Sequence, residues 1–198
     1  LGWRITQEEF MKNQKIFDDL KLRVGYGVTG SQLNRGFMGI AMVNYGGYAY
    51  VNGKWVKTVV PASNANPDLK WEKKKETNIG VDFTAIKGRL SGTIDFYNRE
   101  IDGLIYEYTV PTPPNLYPTT WANGGKLQNR GLELLLSGIP FTSKDFEWAT
   151  TVTFSTNSNK LKSLSGSTFK TEYDYFDTGS AEYSGQWTTS HRVQVGQK

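Results

Sequence analysis

Leu20, Leu22, Val24, Tyr26 and Val28 alternate with Lys21, Arg23, Gly25 and Gly27, a period of two that gives a strand one apolar and one polar face. The period returns in Thr77, Ile79, Val81 and Phe83 against Asn78, Gly80, Asp82 and Thr84. It returns again in Leu90, Gly92, Ile94 and Phe96 against Ser91, Thr93, Asp95 and Tyr97. Only a tight turn at Lys87-Gly88 separates these two runs, so the spacing predicts an antiparallel hairpin pairing 77–86 with 89–98. A second hairpin is predicted from 130–137, carrying Leu132, Leu134 and Leu136, through a turn between Gly138 and Lys144, and back over 146–155 through Phe146, Trp148, Val152 and Phe154. Ahead of the strands, Thr6-Gln7-Glu8-Glu9 fits a capping box, and Phe10, Met11 and Ile16 follow at near-helical spacing. One short helix near the N-terminus is expected there.

The far ends of these strands differ from the near ends. Segments 30–67, 101–125 and 157–198 are long and rich in Gly, Asn, Pro and aromatic residues. Short turns on one side, long loops on the other, and strands of about 9–11 residues describe an all-β protein. Its antiparallel strands would form part of a large transmembrane β-barrel with long extracellular loops. A secreted carbohydrate-binding β-sandwich shares the alternation; there the apolar faces would meet each other instead of lipid.

Composition narrows the chemistry. The chain has 198 residues, 23 Lys+Arg against 19 Asp+Glu, a net charge of +4, 14% aromatic residues and a mean hydropathy of -0.51. No apolar run approaches the roughly 18 residues of a spanning helix. With no Cys and one His, disulfides, thiolate zinc sites, Cys nucleophiles and multi-His metal centres are excluded. No catalytic residue, metal site or cofactor is expected.

Three motifs tempt a different reading. Gly25-Tyr26-Gly27-Val28-Thr29-Gly30 satisfies GxGxxG, yet no Asp or Glu lies between Lys21 and Pro67 to hold a ribose, and the preceding strand is polar on one face. Asp177-Thr178-Gly179-Ser180 matches the short signature of aspartic proteases in a single copy, where the chemistry needs two aspartates, and reads as a turn in an extracellular loop. Lys73-Lys74-Lys75 is flanked by Glu72 and Glu76, which argues for a solvated strand entry and against a nucleic-acid partner. Trp55, Asn115, Tyr117, Trp121 and Asn123 fall in the expected long loops, beside Tyr48 and Tyr50. Aromatic faces stack on sugar rings and amides bind vicinal hydroxyls, so these five are the candidate ligand contacts.

Several ordered strings carry a resemblance. Leu20-Lys21-Leu22-Arg23-Val24-Gly25-Tyr26-Gly27-Val28-Thr29-Gly30-Ser31-Gln32, then Asn66-Pro67-Asp68-Leu69-Lys70-Trp71-Glu72-Lys73, then Thr77-Asn78-Ile79-Gly80-Val81-Asp82-Phe83 resemble consecutive barrel segments of the SusC/RagA family of TonB-linked outer-membrane transporters. So do Gly88-Arg89-Leu90-Ser91-Gly92-Thr93-Ile94-Asp95-Phe96-Tyr97-Asn98, Asn129-Arg130-Gly131-Leu132-Glu133-Leu134, Phe146-Glu147-Trp148 and Asn157-Ser158-Asn159-Lys160. The resemblance implies that 1–198 is part of a TonB-dependent receptor β-barrel, an internal piece with no plug domain, TonB-contacting segment or C-terminal strand. It further implies import of oligosaccharides or peptides without enzyme chemistry, in the outer membrane of a Gram-negative, Bacteroidota-like cell. The implied partners are a SusD-like surface lipoprotein, TonB through the missing N-terminal part, and outer-membrane lipid.

Overall fold

A computed structural model describes residues 1–32, 36–166, 169–183 and 186–197. Its strands are β1 (Gly2–Arg4), β2 (Phe17–Ser31), β3 (Met42–Val51), β4 (Lys54–Ser63), β5 (Glu72–Ala85), β6 (Leu90–Thr109), β7 (Thr119–Thr142), β8 (Glu147–Ser163), β9 (Tyr175–Tyr183) and β10 (Gln186–Gln194). Six of them form one antiparallel sheet in the order β1-β2-β5-β6-β7-β8, while β3-β4 and β9-β10 are separate two-stranded hairpins. Both expected hairpins are present, the second in a shifted register in which 130–137 pairs with 151–158 instead of 146–155. Thr77 pairs with Asn98 and Ala85 with Leu90, and Gly131 pairs with Asn157 and Ser137 with Thr151.

The side-chain alternation lines up across strands into rows. Leu22, Val81, Ile94, Leu134 and Phe154 are successive cross-strand partners, and the rows on either side are Leu20-Phe83-Gly92-Leu136-Val152 and Val24-Ile79-Phe96-Leu132-Thr156. These rows form one apolar band. Ile79, Ile94, Phe96, Leu132, Val152 and Phe154 are exposed, Phe154 at 55%, and among the described residues no second sheet covers them. A sandwich would bury this face, so the sandwich reading fails. Phe141, Phe146 and Trp148 edge the band beside the short turn, and the polar row Tyr26-Thr77-Asn98-Arg130-Ser158 closes it above. From Phe146 to Ser158 are twelve residue steps. At about 3.3 Å per residue and a tilt of about 40–45° they project to about 30 Å, the thickness of a bilayer's hydrocarbon core.

Three expectations change in detail. The strands of the sheet's long hairpins run for 14 (β5), 20 (β6), 24 (β7) and 17 (β8) residues, not about 9–11. Ladder pairing continues up to Thr109 with Thr119, leaving only 110–118 as connection, and the lower turn of the second hairpin is 143–146. The segments expected as long loops therefore hold strand extensions and the hairpins β3-β4 and β9-β10. Above the band both faces meet water, so no alternation is demanded and the stretch reads as loop. At the N-terminus there are two single 3-10 turns, Ile5–Gln7 and Glu9–Met11, without a side-chain cap. The Thr6 hydroxyl instead donates to Asp19 (3.0 Å) and accepts from the Leu20 amide (3.3 Å), tying the turn to β2.

Gly103 and Gly125 face each other between the paired steps Asp102-Lys126 and Leu104-Gly124, both with positive φ (72° and 51°). Glycine adopts that conformation without strain, so the two strands can bend together there. Around the bend, Tyr108, Ala122, Leu161 and Leu164 are buried, the Tyr108 hydroxyl donating to the Leu164 carbonyl at 2.7 Å.

Candidate functional site

The face opposite the apolar band is polar and internally paired. Arg23 on β2 donates through Nε and Nη2 to both oxygens of Asp82 on β5 (2.7 and 2.9 Å), and Nη2 also reaches Asp95 on β6 at 2.9 Å. One guanidinium thus joins three strands. Gly80 lies opposite both Arg23 and Asp95, and a Cβ there would come within 2.7 Å of Arg23 Nη2. Higher up, Arg99 grips Glu76 with two bonds of 2.9 Å, and Lys74 adds a contact of 3.4 Å. Asn129 then donates to Asn157 at 3.1 Å and to Asn159. Such a face carries paired charge and amides, and its chemistry suits contact with water and polar solutes.

The five candidate ligand residues occupy the upper rim but are not equivalent. Trp55 sits next to the Asn52-Gly53 turn at the tip of β3-β4, in a strand instead of a loop. It is 69% exposed, and its ring lies 5.3 Å from that of Tyr50. The Asn115 amide donates to the Pro111 carbonyl (2.9 Å) and closes its own turn. Tyr117 and Trp121 are half-buried, and their backbone carbonyls accept from the side chains of Asn64 (2.6 Å) and Asn66 (2.8 Å). Asn64 also donates to the Thr119 carbonyl at 2.9 Å. Asn123 is fully engaged, accepting from the Lys70 amide (2.7 Å) and donating to the carbonyls of Lys70 (2.6 Å) and Gly103 (3.0 Å).

Asn64, Asn66 and Asn123 thus stitch the return from β4 onto the stretch of β7 that β8 does not reach, where backbone groups would otherwise lack partners. The sequence reading missed Asn64 and Asn66; their spacing of two, matching the alternate carbonyls of a strand edge, is the signal that could have found them. Replacing Asn123 with Ala removes three hydrogen bonds and should loosen this seam by about 1–3 kcal/mol. Amide hydrogen exchange should then quicken over 64–72 and stay unchanged in Trp55→Ala, and equal protection in both variants would refute the seam.

The tempting motifs dissolve into strands. Gly25, Gly27 and Gly30 are all inside β2, opposite Asn78, Glu76 and Lys73, and among the described residues no helix follows. Asp177 lies in β9, held by Arg192 of β10 at 2.8 and 3.1 Å, and this guanidinium keeps the carboxyl below the usual carboxylate range. Arg192 in turn stacks 3.8 Å from the Tyr175 ring centre. The phenol of Tyr108 is pushed up by burial.

A family model described as "TonB dependent receptor-like, beta-barrel" matches residues 2–197. The TonB-dependent receptor SusC of Bacteroides thetaiotaomicron is 35% identical over 170 residues, covering 84% of this chain and 17% of that protein. TonB-dependent receptor P39 of Formosa agariphila is 34% identical over 180 residues, 90% of this chain and 16% of its relative. Among solved structures, the RagAB peptide importer in its open-open state superposes with a TM-score of 0.78 at 23% identity, over 99% of this chain and 19% of that one. The chain therefore spans under a fifth of the length of these relatives.

Proposed function

We propose that this chain, which belongs to the TonB-dependent receptor-like β-barrel family, forms a section of the wall and outer rim of an outer-membrane importer of oligosaccharides or peptides. The single observation that carries the reading is the uncovered apolar band, about as tall as a bilayer core, backed by a paired polar face. Similarity to SusC supports the transporter class, and with it a SusD-like surface lipoprotein and TonB as partners of the whole protein. The wall itself does no chemistry; the solute passes along its polar side.

Of the five candidate contacts, Trp55 is best placed to meet a solute, because its ring is exposed on the β3-β4 hairpin and braced by Tyr50. The Asn115 and Asn123 side chains are engaged in holding backbone, so they shape the rim. The test is uptake of labelled oligosaccharide and oligopeptide pools by cells carrying the full-length protein, with and without TonB. TonB-dependent uptake of one pool supports the proposal, and uptake indifferent to the protein sinks it. Trp55→Ala should weaken solute binding by on the order of 1 kcal/mol, about fivefold, with barrel assembly intact. Unchanged binding in a Trp55→Ala/Trp121→Ala variant would remove both rings from the site.

A further inference from the structure

Above the apolar band the outward face does not simply become polar; it becomes cationic. Continuing the same alternation upward, the next rows are Tyr26-Thr77-Asn98-Arg130-Ser158, Val28-Lys75-Glu100-Gln128-Lys160 and Gly30-Lys73-Asp102-Lys126-Ser163. They bring five cations and two carboxylates to that face. Asp102 is within 3.4 Å of Lys126. Among the described residues, no carboxylate lies within 4.0 Å of the charged ends of Lys75, Arg130 or Lys160. The inward face at the same height behaves oppositely, with Glu76 held by both Arg99 and Lys74.

We propose that Lys75, Arg130 and Lys160 form a site on the outer wall for the phosphate of an anionic membrane-lipid headgroup. Each row adds about 7 Å along the strand, so the three side chains leave the sheet in the first two rows above the hydrocarbon band, at headgroup height. Lysine and arginine stems can lie along the apolar surface below while their charges reach the phosphate layer. Tyr26 and Trp71, both well exposed, flank the group as interfacial aromatics. Tyr26 stands at the band's upper edge, and Trp71 packs over Gly30. On the inward face Arg99 and Lys74 share Glu76, whereas on the outward face Lys75, Arg130 and Lys160 lie outside ion-pair distance of any described carboxylate, Glu100 across from Lys75 included, and an anion supplied from the membrane explains the difference.

This inference rests on the barrel-wall reading, and the experiment separates the two. The full-length protein in dodecyl maltoside micelles is titrated with phosphatidic acid or phosphatidylcholine carrying brominated acyl chains, and tryptophan quenching gives their relative affinity. Each interfacial cation favours an anionic surface by on the order of fivefold. The wild type should therefore prefer phosphatidic acid at least tenfold, and Lys75→Gln/Arg130→Gln/Lys160→Gln should bring the two lipids close to parity. Lys87→Gln, in the short turn at the opposite rim, should leave the preference intact. Equimolar inorganic phosphate should not abolish it. Parity in the wild type, a preference surviving the triple change, or displacement by free phosphate overturns the lipid site. Absence of quenching by either lipid overturns the wall reading beneath it. Should the triple variant fail to assemble, Lys75→Gln alone must still lower the preference severalfold, and an unchanged ratio there overturns the site.

Discussion

Leu134→Arg should destabilise the assembled full-length protein by about 2–4 kcal/mol, whereas Leu135→Arg, one residue along, should change it by less than about 1 kcal/mol. Leu134 is in the middle row of the apolar band, between Ile94 and Phe154, where an arginine would place its charge near mid-bilayer. Leu135 lies on the other face between Thr93 and Thr153, where an added cation meets water and neighbouring acids such as Glu133. Because the residue type, strand and depth are nearly the same, only the direction of the side chain separates the two variants. Urea unfolding of the reconstituted protein, followed by heat-modifiable migration, measures both. Equal losses, or a tolerated Leu134→Arg, would contradict a lipid-facing band.

The same alternation explains which parts of the fold could be read from the chain. Where one face meets lipid and the other water, every second position is constrained, and Leu20 to Val24, Ile79 to Phe83, Ile94 to Phe96 and Leu132 to Leu136 declare their strands and pairing. Above the bilayer that constraint lapses. The continuation of β6 and β7 to Thr109 and Thr119 is held by ladder pairing between residues such as Ile105 and Asn123 or Tyr108 and Thr120, whose sequence looks like loop. Trp55, expected in a loop, lies in β4 two residues past Asn52-Gly53, and its exposure follows from β3-β4 forming a two-stranded sheet of its own. The engagement of Asn123 was not legible, because it depends on Lys70, which is distant in sequence and arrives only when the chain returns from β4. Thr6 misled for a related reason: its local partner Glu9 was in range, but the strand residues Asp19 and Leu20 offered it both a donor and an acceptor.

Arg23→Ala should cost about 1.5–3 kcal/mol, and Gly80→Ala a comparable amount, but the double variant should cost little more than Arg23→Ala alone. Removing the guanidinium leaves Asp82 and Asp95 without their shared cation, and among the described residues one oxygen of Asp95 already has no partner. The side chains of Arg23, Asp82 and Asp95 are 31%, 35% and 20% exposed, so water screens part of the loss and holds it below that of breaking a fully buried pair. Gly80→Ala keeps every charge but drives a methyl group into the guanidinium and the Asp95 carboxylate, forcing the hydrogen bonds apart. Once Arg23 is gone, that methyl has room and Asp95 can turn away from it, so the second change adds little. A double-mutant cycle on unfolding free energies of the full-length protein reads the coupling directly. Simple additivity would mean that Gly80 is small for a reason unrelated to Arg23. A near-complete coupling would show that the bare backbone of β5 exists to let one cation cross from β2 to β6.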